Sequence, residues 1–369
     1  MSVLALLVFA IALFAPQARG EAAARRAVDG ADLSSLYDFA EEYSQGLDVE
    51  EMIGDALEGG TLDLEGVFAW LREHAVAPVR RTLEAGRGLI APALLLSLLR
   101  CTLPEGRGAS SGGRLLLRML LFLGFADVAQ AAIEAAERCL QTTARFADAA
   151  SPGIAALLTA MGMTGAAALV SPAAALAGDA AENLFLKCGV PLCRWALCAC
   201  VAGNLSAAID LSRFTRLFRR AANWGAGLAT TLFTALLALQ GSVTEAADGV
   251  AVRAAKYAVD SAAPVIGSGV SDAWESYVAG LMAAKSAVGV SGITALLAAG
   301  FEPVAVCATA MLALNLIAAL LDALGEREAA RAAGEMAGVC QMALSLSTGA
   351  LAIATVLLGA AMAAGRSLI

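Results

Sequence analysis

The chain has 369 residues, of which 59% are hydrophobic and only 16% charged, with a formal net charge of −8. This is more apolar surface than a soluble domain can hide, so the composition excludes a soluble enzyme and indicates an integral membrane protein. The acidic balance and the lack of a long basic run exclude nucleic acid as a main partner.

Aromatics are scarce while alanine and glycine abound, which suits helices packed closely through small residues. The predicted fold is an all-α polytopic membrane helical bundle with amphipathic extracytoplasmic helices. Residues 1–20 hold an apolar run (4–14), Pro16 and a small-residue site ending at Gly20, the pattern of a signal peptide cleaved before Glu21. No basic residue precedes the run, so a retained first helix is the alternative. Residues 21–87 form the one long polar region. Leu33, Leu36, Tyr37, Ala40 and Tyr43 recur at helical spacing, with turn signals at Gly46, Gly54 and Gly59–Gly60, and the region is expected to form short amphipathic helices. The chain's one histidine, His74, lies here and reads as a surface residue.

Residues 88–369 are expected to be a multi-span membrane domain. Residues 88–99 and 115–126 are short apolar runs around the turn-like 104–113, with Arg118 interrupting the second. Residues 149–178 are free of charge and carry Pro152, Gly162, Gly165 and Pro172, which predicts one kinked or tilted span. Residues 184–205 form another, with Lys187 snorkelling from its end and Arg194 at an edge, facing the interior or paired with a carboxylate. Cys188, Cys193, Cys198 and Cys200 in this segment are spaced too unevenly for a metal site and are expected to be small buried core residues.

Arg213, Arg216, Arg219 and Arg220 precede the charge-free run 221–244 and predict a cytoplasmic basic loop. Four apolar candidates stand between residue 21 and this loop, where an odd number of crossings is needed. One of the marginal pair must therefore fail to span, or the first helix is retained. Further on, 286–301 and 303–321 predict a helical hairpin hinged at Glu302–Pro303. The acidic loop 322–335 is then expected outside, and the last span, 336–365, leaves Arg366 inside.

Residues 243–285 stand apart as an amphipathic insertion. Glu245, Asp248, Arg253, Lys256 and Asp260 recur on one helical side and Val243, Ala247, Val250, Ala254 and Tyr257 on the other. Pro264 stops this helix and glycines follow, after which Val270, Trp274, Tyr277 and Leu281 mark a second amphipathic helix beside Asp272, Glu275 and Lys285. Asp248, Arg253, Lys256, Asp260, Pro264, Gly267, Asp272 and Lys285 are the candidate interaction or conduit surface.

Asp248, Arg253, Ala255–Lys256, Pro264–Val265–Ile266–Gly267, Asp272–Ala273, Lys285, Gly289 and Gly292 closely resemble the corresponding stretch of the stage III sporulation protein AE family. The resemblance covers residues 204–300 and thins toward both ends. Where the family pattern leads one to expect Pro-Leu-Gly-Asp, this chain has Asp322-Ala323-Leu324-Gly325. The resemblance implies a noncatalytic component of the channel or secretion complex between mother cell and forespore in endospore-forming bacteria. It implies the membrane that the mother cell wraps around the forespore as its place. The implied partners are the other stage III A sporulation proteins, among them a cytoplasmic ATPase and ring-forming proteins, together with forespore protein Q. Apart from the resemblance, the basic cluster Arg213–Arg220 points to anionic membrane lipid or a cytoplasmic partner, and a homo-oligomer is left open.

Catalytic motifs are weak or missing. Gly289-Val290-Ser291-Gly292 matches the G-x-S-G string of rhomboid-type intramembrane proteases, but a serine nucleophile needs a neighbouring base and His74 is remote. Gly289 and Gly292 are therefore expected to be packing residues. No Walker A, dinucleotide or H-E-x-x-H string occurs, and neither cofactor nor metal is expected. A secondary transporter or small-solute channel is the alternative, with the break at Pro264 beside Arg253, Lys256 and Asp260 as a re-entrant element.

Overall fold

The computed structural model describes the backbone of residues 33–43, 49–57, 86–102, 108–160, 163–205, 212–262 and 267–363, with scattered positions from 25 to 84. Among the described residues every regular element is a helix: α1 (Ser34–Tyr43), α2 (Val49–Leu57), α3 (Ile90–Thr102), α4 (Gly108–Ala160), α5 (Thr164–Asp179), a π-helical segment (Ala180–Gly189), α6 (Val190–Leu205), α7 (Ser212–Ala262), α8 (Gly267–Ala323) and α9 (Arg327–Ala363). Four stretches are long and apolar enough to cross a membrane: Leu116–Ala160, Thr164–Asn204, Ala279–Ala323 and Arg327–Ala363. The chain is a polytopic all-helical membrane bundle. The proposed signal segment, His74 and Pro264 lie outside the described residues.

The centre of the bundle is α9, flanked by α8 and α4. Apolar residues surround α9 on all sides, so it can be satisfied only by enclosure, and from Ala329 to Met362 it is largely buried. The same holds for α8 between Leu281 and Gly300. Glycines set the spacing. A Cβ on Gly289 would stand 2.4 Å from Met362 Cγ, one on Gly300 2.7 Å from Leu351 Cδ2, and one on Gly189 2.8 Å from Leu346 Cδ1. Three side chains of α9 thus enter notches that only glycine leaves open.

Side-chain contacts fix the directions. Arg118, near the start of α4, lies 2.5 Å from Glu328 and 3.5 Å from Glu326. Phe146 of α4 and Leu358 of α9 both approach Gly292 of α8, and the Cys307 thiol donates to the Ala132 carbonyl at 3.2 Å. So α4 and α9 run parallel and α8 runs against both. One end of the bundle carries Arg118; the other carries Ala149, whose carbonyl accepts from Ser35 of α1 at 3.1 Å. From the Ala149 end, α5, the π-helical segment and α6 return along α4, with Arg194 2.7 Å from Glu137. They reach the Arg118 end, where Asn204 donates to Glu335 at 3.4 Å. There α7 begins, its Thr215 3.7 Å from Cys200, and runs alongside α9 so that Ala226 and Thr230 face Gly349.

Several expectations are corrected. Pro303 does not hinge a hairpin; it lies inside continuous α8, because neighbouring helices in a bundle supply the packing that a proline-interrupted helix lacks alone. Pro152 inside α4 shows the local remedy: the Ser151 hydroxyl donates to the Asp148 carbonyl at 3.3 Å, the group that the proline leaves without an amide. Residues 149–178 are not one span but belong to two helices, the end of α4 and most of α5. The crossing problem dissolves as a result. The chain goes from α1 at the Ala149 end to the start of α4 at the Arg118 end, back along α4, and over again through α5 and α6. Arg213 thus follows a helix that ends at the Arg118 end, opposite α1.

The single pass of α8 also relocates residues 322–335. They lie at the same end as Arg213–Arg220, not at the opposite one. Most of the expected loop is the first turns of α9; the connection is a tight cap in which the Glu326 amide bonds to the Leu321 carbonyl at 2.9 Å and the Gly325 amide to Asp322 at 3.0 Å. Gly325 has φ 83°, a left-handed conformation that glycine adopts without strain. Arg213–Arg220 likewise lie on a helix, the first turns of α7, rather than in a loop. Of the four clustered cysteines, Cys193 and Cys200 are buried as expected, but Cys188 and Cys198 are exposed.

Candidate interaction surface

Asp248, Arg253, Lys256 and Asp260 sit on the second half of α7, whose backbone is helical without interruption from Ser212 to Ala262. Gly267 opens α8, which carries Asp272 and Lys285. The amphipathic pattern is therefore drawn on extensions of two long helices that flank the residues around Pro264. The side chains at 239–278, and so those of Asp248, Arg253, Lys256, Asp260, Gly267 and Asp272, lie outside the described residues. Lys285 departs from its expected place: it is 4% exposed and belongs to the enclosed part of α8, not to an outward surface. Leu281, Ala284, Ala287 and Val288 around it join an apolar cluster with Leu36, Phe39 and Ile53 of α1 and α2.

The arginine cluster is better defined. Arg213, Arg216 and Arg220 point outward, whereas Arg219 is half-buried with its guanidinium against Gly338 of α9. Around it the Arg118 end gathers charges from several helices. Arg118 bridges to buried Glu326 and exposed Glu328, and Arg331 pairs with Glu335 at 3.2 Å. Sequence reasoning noted Arg118 as an interruption and Glu326, Glu328 and Glu335 as an acidic excess, but did not join them. Their separation along the chain hides a pairing that only the parallel run of α4 and α9 creates. Of the three placements expected for Arg194, the structure shows the pairing with a carboxylate, that of Glu137.

Ser291 is fully buried and its hydroxyl donates to the Ala287 carbonyl at 2.8 Å. That proton is committed within the helix, and Gly289 two residues earlier is filled by Met362, so this stretch is packing. At the Arg118 end the outward arginines form a surface suited to anionic lipid headgroups or an acidic protein, worth about 1 kcal/mol per arginine near an anionic membrane.

A family model described as stage III sporulation protein AE matches residues 47–365. The chain belongs to that family. A stage III sporulation protein AE from Bacillus subtilis (strain 168) is 26% identical over 195 residues, covering 53% of this chain and 49% of the relative. The match thus spans about half the length of that relative. No solved structure matches. Membership in the stage III sporulation protein AE family connects this bundle to sporulation. The matched region runs from just before α2 to just beyond α9 and so includes every long helix.

Proposed function

We propose that the chain is a noncatalytic membrane component of a mother cell to forespore channel or secretion complex required for endospore formation. Its place is the mother-cell membrane around the forespore. The observation that carries this reading is the family match across nearly the whole helical bundle. The positive-inside rule assigns the Arg213–Arg220 end to the cytoplasm. Cap and cluster at that end then face a cytoplasmic partner, for which the complex's ATPase is the candidate. The α1–α2 end and the junction around Pro264 face the space between the two membranes, where ring-forming stage III A proteins and forespore protein Q would dock.

The test is affinity capture of the tagged chain from sporulating cells, with Arg253 and Lys256 reversed to glutamate in a parallel strain. The parent is expected to bring down other stage III A proteins and protein Q. The double reversal should insert at normal abundance yet lose them and block development after engulfment, since docking depends on the sign of that face. Ser291→Ala should sporulate normally. Capture of the chain alone, with normal spores from the reversal, would overturn the proposal, and solute transport by the purified chain without partners would favour a secondary transporter.

A further inference from the structure

Along the middle of α4, Asp127, Ala131, Glu134, Arg138, Gln141, Arg145 and Asp148 are all exposed. They follow one another at steps of four and three, so they form a single straight stripe on one helical face. The π-helical segment and α6 continue it sideways. Lys187 pairs with Glu182 at 2.9 Å, Asn183 donates to Asp179 at 3.2 Å, and Arg194 reaches Glu137. Six carboxylates, those of Asp127, Glu134, Glu137, Asp148, Asp179 and Glu182, thus share one face with Arg138, Arg145, Lys187 and Arg194. Within that face lies a π-helical stretch, a rare local form frequent at functional sites.

The opposite wall of the bundle is different at the same height. Trp224, Leu228, Leu232 and Leu236 of α7 are exposed. The polar groups among them are satisfied internally, Thr231 donating to the Gly227 carbonyl and Thr234 to that of Thr230, both at 2.8 Å. That is a face built for hydrocarbon. Its height is set by Thr230, which stands against Gly349 of α9. Counting from Arg118 the number of residues that separates its partner Glu328 from Gly349 reaches Cys139, the middle of the charged stripe. The middle of the stripe, around Cys139, and the leucine belt therefore lie at one depth, while beyond it Arg145 pairs with Glu42 of α1 at 3.4 Å. Hydrocarbon cannot cover both, because carboxylates and guanidinium groups at that depth persist only where they meet water or buried partners.

We infer that the charged face of α4, the π-helical segment and α6 is the wall of a water-filled path at membrane depth. Its mixed signs fit hydrated polar solutes without selection for one charge. The inference does not depend on the sporulation partners and is tested without them.

The experiment introduces single cysteines at Glu134, Arg138 and Gln141, and at Leu228 and Leu232, in the full-length chain with Cys101, Cys188 and Cys198 replaced by serine. Membranes are treated with cationic and anionic methanethiosulfonate reagents that do not enter lipid. The stripe positions should react on the order of tenfold faster than the belt positions with both reagents, because thiols react through the hydrated thiolate. Cys188 of the unaltered chain, exposed on the π-helical segment, should react likewise and needs no new cysteine. Equal reactivity of stripe and belt would overturn the inference. So would a silent stripe that cross-links to a second copy under oxidation, since protein and not water would then cover the face.

Discussion

Gly289 and Gly292 both belong to the Gly-Val-Ser-Gly string, yet the structure asks different things of them. A Cβ at Gly289 would collide with Met362 Cγ at 2.4 Å, whereas at Gly292 it would meet Phe146 and Leu358 at 3.8 Å, an ordinary contact. Gly289→Ala should therefore destabilise the protein by about 1–3 kcal/mol, the usual cost of overpacking, and lower its thermal unfolding midpoint in detergent. Gly292→Ala should leave the midpoint where it is. A common shift in both variants would show that the α8–α9 contact is looser than the structure describes. That both glycines are packing residues was legible in the sequence; which one is indispensable was not, because the answer depends on where Met362 lies on another helix.

Among the elements, the cap between α8 and α9 depends on a residue far away in the chain. Glu326 is buried, its side chain 4% exposed, with Arg118 as its partner at 3.5 Å, while Glu328 on the same arginine is 74% exposed. Arg118→Ala removes a counter-charge from a buried carboxylate, and should cost about 1–3 kcal/mol, below the full buried-pair value because Arg118 itself is partly exposed. Glu328→Ala should cost under about 1 kcal/mol, the range for a solvated pair. Chemical denaturation of the purified chain would rank them, and equal losses would mean the burial of Glu326 is unimportant. The helical character of this region was legible from composition and periodicity. Its segmentation was not. Proline at 303 resembles a hinge by its chemistry, but its consequence depends on what packs around it, and the charge-free run 149–178 hides the boundary between two helices because nothing polar marks it. The stripe from Asp127 to Asp148 escaped notice because charges spaced by three and four dilute evenly into an alanine-rich stretch.

At the scale of the whole molecule, the ends of the bundle assign the sides of the membrane. Reporter fusions after Arg220 and after Gly325 should both read cytoplasmic, and a fusion after Lys256 extracytoplasmic. A fusion after Gly325 that reads outside would restore the hairpin at Pro303 and reverse the last helix. The sequence put residues 322–335 on the side opposite the basic cluster, whereas the structure brings both to one end of the bundle, since acidic residues carry little topological weight and one misjudged crossing inverts everything after it. Of the candidate surface, Lys285 was misplaced because its charge suggested an exposed position in a stretch of α8, between Leu281 and Gly300, that is enclosed.

The enclosure of α9 has a consequence for biogenesis. This helix is made after every helix that surrounds it, and synthesis runs from the N-terminus. Until it emerges, the notches at Gly189, Gly289 and Gly300 have nothing to receive. The packing of the bundle is therefore completed only once the last helix has been made, and the faces of α4, α7 and α8 that meet it wait longest for their partner.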